Sequence, residues 1–300
     1  MDVALVSYAR LPDLDPDDRL LLEALRARGV EAGAAVWSDP SFDWSRPRLC
    51  VIRSTWDYHE RHAEFMVWAE RAASVSRLWN PIEALRWNTH KSYLRDLAGR
   101  GIPTVPTEWL YAGTTANLQE LLGRRGWQRA VLKPAVSASA YSTIIVDGDN
   151  ISEAQDLADR LLPSRDLMLQ PFIESVETHC ERSLIYIDGA FTHAVRRPSV
   201  LTDPHYSGKY AAVEPAADEP AFGAEVLRAA GSPTLYARVD VVRDGEGKLC
   251  LMELELVEPS LWLAYSPVAV DRFAQGIIAR LGYGDENAKT PRRQAPRQDR

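Results

Sequence analysis

The chain has 300 residues, of which 46% are hydrophobic and 26% are charged, a balance typical of a globular protein with two or three compact units. The formal net charge is −7 and no folded segment carries a basic stripe, so we expect no nucleic-acid partner. Three widely spaced cysteines without a C-x-x-C pair, and no apolar stretch near the roughly 18 residues of a membrane span, predict a cytoplasmic protein without disulfides.

The N-terminal part, residues 1–88, is predicted to form a parallel α/β domain. The apolar runs VALVSY and RLCVIRSTWDY are typical of buried strands. Between them, Asp15 can cap a helix that begins at Pro16 and is closed by Gly29, and a second helix is expected in HERHAEFMVWAERAASV. Because ligands bind at the carboxyl ends of parallel strands, the polar segment RSTWDY lies where a binding site is expected.

Residues 89–168 are predicted to form a second, smaller unit that carries two informative lysines. A helix is expected from about Thr89 to Arg100, and Lys91 lies just inside it. Lys133 ends the β-branched strand in AVLKP. A single lysine is usually a surface residue, so each is weak evidence when taken alone.

The segment AVSASAYS follows Lys133 and is built from small residues. Its backbone N–H groups, together with Ser137 and Ser139, can lie over phosphates and donate to them. It lacks the G-x-x-x-x-G-K-[ST] pattern and is therefore not a P-loop. The alternative is an ordinary surface loop. A helix with Ser152 as its N-cap is expected shortly after it.

The rest of the chain divides into a third predicted unit, residues 169–285, and a tail, residues 286–300. A hairpin is expected at Asp188–Gly189, a mobile loop in PHYSGKYAAVEPAADEP and a helix near Ala221–Ala230. The tail contains KTPRRQAPRQDR, which has no apolar period and is predicted to be disordered.

The connector LQPFIESVETHCERS opens the third unit and suits a nucleoside. Phe172 and Ile173 can wall a base, and backbone groups near Gln170 can bond its edge. Glu177 or Glu181 can hold ribose hydroxyls. By itself this is a generic strand-and-turn pattern.

The segment RVDVVRDGEGKLCLMELELVE runs from Arg238 to Glu258 and reads as a hairpin with an acidic face. DGEGK is a strong turn signal, and folding the chain there places Asp240 opposite or nearly opposite Glu253, with Glu255 on the same sheet face. Like charges on one face repel each other, and a divalent cation with oxygen ligands relieves that repulsion. The alternative is a solvated outer face on which the acids are tolerated.

Taken in chain order, the parallel lobe, the two lysines, QPFI, HAVRRP and the R-x-D and E-x-E hairpin resemble the ATP-grasp superfamily. The resemblance spans about Val3 to Leu281. It implies an α/β fold, α+β in its second half, in which two subdomains clasp ATP. ATP and Mg²⁺, with two ions, are the implied cofactors. The implied reaction phosphorylates a carboxylate for attack by a nitrogen, which makes the protein a C–N ligase.

The resemblance also implies roles for individual residues. Asp240, Glu253 and Glu255 match the magnesium ligands, although many members have Asn at the last of these positions. Lys91 and Lys133 match the lysines that contact the ATP phosphates.

Charge stabilisation and nucleoside binding are implied for a second set of residues. Arg238 and one of Arg196 or Arg197 match the arginines that neutralise charge as the phosphoryl group moves. The residues that match the adenine and ribose contacts are Gln170, Phe172, Ile173, Glu181 as first choice for ribose, and Glu177 as second.

A narrower resemblance concerns the substrate. IRSTWDY, LRWNTHKSYL, GIPTVPT and ERSLIYIDGAFTHAVRRPS are similar to the ATP-grasp group that includes the O-ureidoserine cyclo-ligase of D-cycloserine biosynthesis. This implies an antibiotic-biosynthesis enzyme that ligates O-ureido-D-serine within one molecule and releases carbon dioxide and ammonia.

An amino-acid substrate needs a cation for its carboxylate and acceptors for its ammonium group. The candidates are Arg53, Ser54 and Asp57 in the first lobe, with Arg182 and Arg197. The alternative is that RSTWDY is simply a strand end that packs its aromatic residues against the next lobe.

Two further functions stay open at this point. One is a carboxylate–amine ligase that joins two amino acids, or an amino acid and a peptide. The other is a non-catalytic nucleotide-binding module that acts as a sensor or scaffold. A dehydrogenase is disfavoured because no G-x-G-x-x-G follows the first strand. A homodimer is the default expectation for the oligomeric state.

Overall fold

The computed structural model describes residues 1–138, 140–199, 201 and 210–282. The predictions for Ser139, for residues 202–209 of the predicted mobile loop and its surroundings, and for the tail 286–300 lie outside the described residues. Within the described part of the chain, no helix is both long and apolar enough to cross a membrane. All three cysteines are free, as expected.

The first part of the chain folds into a parallel sheet with helices on both faces. Its elements are β1 (Val3–Ser7), α1 (Pro16–Ala27), β2 (Ala32–Val36), β3 (Leu49–Ser54), α2 (His62–Val75) and β4 (Arg77–Trp79). The strand order is β2-β1-β3-β4. β1 and β3 are buried throughout, because α1 covers one sheet face and α2 the other. Asp15 caps α1 and Pro16 is its first residue, so this predicted helix start is confirmed.

Two short helices lead into an antiparallel sheet. The elements are α3 (Ile82–Asn88), α4 (Tyr93–Gly99), β5 (Glu108–Leu110), α5 (Leu118–Arg125), β6 (Ala130–Pro134), β7 (Ile144–Val146), α6 (Ile151–Leu161) and β8 (Leu167–Pro171). The strand order is β5-β8-β6-β7. α5 and α6 contribute leucines and alanines to the core beneath this sheet.

Two local predictions in this region are wrong. Lys91 does not lie inside a helix, because α3 ends before it and α4 begins after it. Its backbone N–H donates instead to the carbonyl of Ala135, at 2.8 Å. The N-cap of α6 is Asn150, and Ser152 lies within the first turn. In both cases a tertiary or turn contact sets the helix start in place of local propensity.

The remaining described elements form a second antiparallel sheet, which is the third sheet of the molecule, together with two long helices. They are α7 (Ser175–His179), β9 (Glu181–Ile187), β10 (Ala190–Arg197), β11 (Ala211–Val213), α8 (Glu219–Ala230), β12 (Tyr236–Arg243), β13 (Leu249–Glu255), a 3₁₀ turn (Leu263–Tyr265) and α9 (Pro267–Gly282). The strand order is β11-β10-β9-β12-β13. The hairpin at Asp188–Gly189 is confirmed by the pairing of Ile187 with Ala190.

The last helix returns to the first sheet and closes the molecule. Phe273 and Ile277 of α9 share one core with Leu21 of α1 and Tyr236 of β12. The N-terminal lobe and the third sheet therefore bury a common apolar surface, which fixes their relative position.

A buried ion pair lies at this junction. Arg53, at the end of β3, donates from Nε to Oδ1 of Asp18 at 2.8 Å, and both side chains are less than 5% exposed. The guanidinium also lies over the Tyr236 ring, 4.7 Å from its centroid. Because a buried charge is costly without its partner, this pair is sensitive to the loss of either member.

We predict that Asp18→Asn destabilises the protein by about 3–5 kcal/mol, because it leaves Arg53 buried without a counter-charge. Urea unfolding measures the change. The control is Glu60→Gln, which removes the charge from the exposed Arg10–Glu60 pair and should leave the midpoint unchanged. An Asp18→Asn midpoint equal to that of the control would contradict this interpretation.

Candidate active site

Three carboxylates converge on one face of the third sheet. Asp240 of β12 pairs with Glu253 of β13, and Arg238 pairs with Glu255, so the predicted register of the acidic hairpin is confirmed. One carboxylate oxygen from each acid lies within 4.8 Å of the other two. Asp240 is fully buried, and the alternative of an open, solvated face is therefore wrong.

Arginines and a serine hold Asp240 in place. Arg238 donates to its two oxygens from Nε at 3.0 Å and from Nη2 at 2.9 Å, and also donates to Glu255. Ser183 of β9 donates to Asp240 at 2.6 Å, and Nη1 of Arg197 lies 3.5 Å from it. Asp240 is thus oriented by three hydrogen-bond donors and a further ion pair rather than free to rotate.

Two lysines from earlier parts of the chain lie near the same cluster. Nζ of Lys91 lies 2.6 Å from Oε1 of Glu253 and donates to the Ser137 carbonyl at 3.0 Å. Lys133 lies on the cleft wall, and no carboxylate of the described residues lies within 4.0 Å of its ammonium. Burial lowers the pKa of Lys133, with Glu253 opposing the shift. Its charge is therefore available to an anion that enters the cleft.

The pKa values of the two glutamates move in opposite directions. Burial raises the pKa of a carboxyl group, but Lys91 and then Lys133 outweigh burial at Glu253 and hold its pKa at about 2. At Glu255 burial exceeds the attraction of Arg238, and repulsion from Glu253 adds to it, so the pKa rises to about 7. Glu255 thus lacks sufficient positive charge around it.

These observations fit a divalent metal ion. The donor set is three carboxylates, which are the hard oxygen ligands that Mg²⁺ prefers. A cation placed among them would supply the positive charge that Glu255 lacks. Ser183 and Arg238 fix the orientation of Asp240, as neighbouring groups commonly orient metal ligands.

A cleft of about 430 Å³ runs from the acid cluster to an apolar end between the two antiparallel sheets. Gln170, Phe172 and Ile173 line that end, and the guanidinium of Arg129 lies 3.9 Å from the Phe172 ring centroid on the outer side. The side chain of Gln170 donates to Thr107 at 2.9 Å, which leaves the backbone of the connector to face a ligand. A planar base suits this end of the cleft.

The two ribose candidates separate clearly. Glu181 lines the cleft and binds Arg197, with Nε at 3.1 Å from Oε2. Glu177 lies outside the cleft and binds Arg129 at 3.0 Å on the surface. Ser137 lines the cleft, although its hydroxyl donates to the carbonyl of Pro134 at 3.1 Å.

The structure also separates the candidate arginines. Arg197 lines the cleft, whereas Arg196 is exposed and points to the other face of the sheet. Arg182 pairs with Arg196 and Val241 and lies on that same opposite face. The prediction that Arg182 binds substrate is therefore not supported, because the strand alternation directs it away from the cleft.

The three first-lobe candidates for substrate binding do not line the cleft either. Arg53 and Ser54 are bound to Asp18, and Asp57 accepts from Trp37 Nε1 at 2.8 Å. They are committed to structural contacts. The segment contributes Trp56 and Tyr58 to the cleft wall, so the packing alternative describes it better.

Sequence reasoning missed several cleft residues, and Glu258 is the most important of them. It is only 7% exposed and lines the cleft three residues after Glu255. Burial, reinforced by Glu255, raises its pKa well above the usual range. Its sequence signal was an acid inside the otherwise apolar run LVEPSLWLA. Asn88 and Tyr93 were also missed; both bind the backbone of β13.

A parallel lobe followed by two antiparallel sheets around such a cleft is the architecture of ATP-grasp ligases. The RimK-domain ATP-grasp protein from Sphaerobacter thermophilus superposes with a TM-score of 0.70 at 20% identity, covering 94% of this chain and 99% of that chain. The D-alanine–D-alanine ligase from Bacillus anthracis superposes with a TM-score of 0.65 at 14% identity, covering 96% and 99%. These similarities show the ATP-grasp fold.

Similarity to one member of the class is much stronger. The crystal structure of D-cycloserine synthetase DcsG superposes with a TM-score of 0.87 at 33% identity, covering 94% of this chain and 100% of that chain. The cycloserine biosynthesis protein DcsG of Streptomyces lavendulae is 34% identical over 295 residues, 93% of this chain and 98% of that protein. The family of DcsG N-terminal domains matches residues 3–80.

The chain therefore belongs to the DcsG family of ATP-grasp ligases. It is an ATP-dependent ligase that forms C–N bonds, and ATP and Mg²⁺ are the cofactors that the fold implies.

We predict that Lys133→Met weakens ATP binding about 10- to 100-fold, because a charged donor to the phosphates is lost. Isothermal titration with a non-hydrolysable ATP analogue and Mg²⁺ measures the affinity. Lys248→Met, at an exposed position of the hairpin turn, is the matched control and should bind as the wild type does. Equal affinities of the two variants would contradict the assignment of Lys133 to the phosphates.

Proposed function

We propose that the protein is a cyclo-ligase that converts O-ureido-D-serine into D-cycloserine at the expense of ATP. The similarity to D-cycloserine synthetase over nearly the full length of both chains carries the proposal. The reaction joins a carboxyl carbon to a nitrogen of the same molecule. ADP, phosphate, carbon dioxide and ammonia are released.

In the first step the substrate carboxylate attacks the γ-phosphorus, and ADP leaves. Lys91 and Lys133 are the residues proposed to contact the phosphates, which is supported by their position on the cleft wall. Arg197 and Arg238 are proposed to neutralise charge on the transferring phosphoryl group, which is supported by their position in the cleft beside Asp240.

Mg²⁺, proposed as two ions, would supply positive charge that offsets the negative charge of the phosphates. The residues proposed to hold it are Asp240, Glu253 and Glu255. The three hydrogen-bond donors and the ion pair around Asp240 keep its carboxylate in one orientation, so the proposed metal ligand needs no reordering when nucleotide enters.

In the second step the oxygen-bonded ureido nitrogen attacks the acyl carbon and displaces phosphate, which closes a five-membered ring. Hydrolysis then removes the carbamoyl group as carbon dioxide and ammonia. Trp56, Tyr58 and Trp262 line the cleft, and Trp262 lies against Arg238 at 5.3 Å. Their apolar surfaces limit water around the acyl phosphate, which favours ring closure over hydrolysis.

We predict that the wild-type protein with ATP, Mg²⁺ and O-ureido-D-serine releases one ADP for each D-cycloserine formed, measured by coupled ADP assay and mass spectrometry. Asp240→Asn should lose at least about 100-fold in kcat, because the metal ligand and the anchor of Arg238 are both weakened. Glu246→Gln, on the same hairpin but exposed, should retain full activity.

Two outcomes would overturn the proposal. A condensed product from two amino acids, with no cyclised product, would identify a carboxylate–amine ligase instead. Nucleotide binding without ADP release for any amino-acid substrate would identify a non-catalytic module.

A further inference from the structure

Glu258 is a buried acid that the first step of the reaction does not use. It is 7% exposed, it lines the cleft, and among the described residues no cationic side chain lies within 4.0 Å of its carboxylate. Each acid of the metal cluster has such a cation. A buried carboxylate that lacks a cation partner of its own is costly unless a ligand supplies one.

The segment around Glu258 is held unusually firmly. The carbonyl of Val257 accepts from the Tyr236 hydroxyl at 2.8 Å and that of Glu258 from Trp56 Nε1 at 3.1 Å. The carbonyl of Pro259 accepts from Arg53 at 2.7 Å. Each of these donors is a side chain from outside the segment. The backbone is therefore fixed, and so is the position from which the Glu258 side chain extends.

The N-terminal lobe supplies much of this support. Arg53 lies at the end of β3 and Trp56 in the turn that follows it. Asp17 of α1 accepts from the N–H groups of Leu263 and Ala264 at 2.7 and 2.8 Å. Of the first-lobe residues predicted to bind substrate, Arg53 thus acts one step away, as a positioning residue for the segment that carries Glu258.

A cation lies on the same stretch of the cleft wall. Arg238 donates from Nη1 to the carbonyl of Ser260 at 3.4 Å, so the segment connects the guanidinium to Glu258. Tyr58 and Trp262 line the cleft with them and offer aromatic faces that favour a cation. One cation and one anion in a shared aromatic pocket suit the two charged groups of a free amino acid.

We propose that Glu258 binds the α-ammonium group of the amino-acid substrate, while the carboxylate of the substrate faces Arg238 and the acid cluster. This inference rests on the proposed function and adds a requirement to it. The substrate must carry a free amino group, so N-acylated amino acids and simple carboxylic acids are excluded. Glu258 is then a substrate-binding residue, and Arg53 and Trp56 are positioning residues.

The test measures the wild type and Glu258→Gln, each with O-ureidoserine and with an analogue that lacks the α-amino group. In the wild type, the analogue should lower kcat/KM by about 10- to 100-fold, the effect of one charge-assisted hydrogen bond. Glu258→Gln should lower kcat/KM for O-ureidoserine by a similar factor, mainly through KM. When Glu258→Gln is assayed with the analogue, the loss in kcat/KM should be smaller than the product of the two separate losses. The reason is that the substitution and the missing amino group remove the same contact.

Controls separate this contact from a general defect. Glu258→Gln should keep the wild-type melting temperature and affinity for the ATP analogue, and Glu258→Asp should recover part of kcat/KM. Glu153→Gln, an exposed acid-to-amide change on α6, should behave as wild type. Losses that multiply, a wild type that uses the deaminated analogue equally well, or a Glu258→Gln defect confined to ATP binding would each overturn the proposal.

The two proposals fail in different ways. Calorimetric titration of O-ureidoserine into the complex with the ATP analogue tests Glu258 without turnover, and ADP release tests the ligase. Binding of O-ureidoserine that depends on Glu258, without ADP release, would contradict only the proposed ligase reaction. Turnover that is unchanged in Glu258→Gln would sink the ammonium site alone.

Discussion

Mutual repulsion among carboxylates on one sheet face is the constraint around which the rest of this structure is organised. Asp240, Glu253 and Glu255 present oxygens within 4.8 Å of one another, in a place where water cannot screen them fully. Cationic side chains from separate elements offset this repulsion. Lys91 comes from the turn after α3, and Arg238 comes from the same strand as Asp240. Groups suited to binding anions and groups suited to binding a metal ion therefore meet in one cleft for an electrostatic reason, and phosphoryl transfer needs both.

The division of labour between the lobes follows from the same packing. The third sheet provides the acids, and the middle sheet provides Lys133 and the apolar end of the cleft. The N-terminal lobe contributes few groups to the cleft surface. Instead, its Arg53, Trp56 and Asp17 form hydrogen bonds that fix the segment after β13. A parallel lobe of this kind can thus affect substrate selection without donating the charged groups that bind the substrate.

The sequence allowed the local pattern to be predicted, and long-range packing accounts for what it could not supply. Strand alternation and the DGEGK turn were sufficient to place Asp240 opposite Glu253, because both rules are local. The roles of Arg53 and Arg182 depend on which face and which neighbour each side chain meets, and a single sequence carries little of that information. Glu258 follows the end of β13, where alternation no longer applies, so its burial arises only from tertiary contacts.

A crystal structure with Mn²⁺ and a non-hydrolysable ATP analogue would show whether the acid cluster binds the metal of a nucleotide lying in the cleft. We expect anomalous density at about 2.0–2.3 Å from oxygens of Asp240, Glu253 and Glu255, close to phosphate oxygens, and a base beside Phe172. Nucleotide bound elsewhere, or Mn²⁺ coordinated without these three acids, would contradict it.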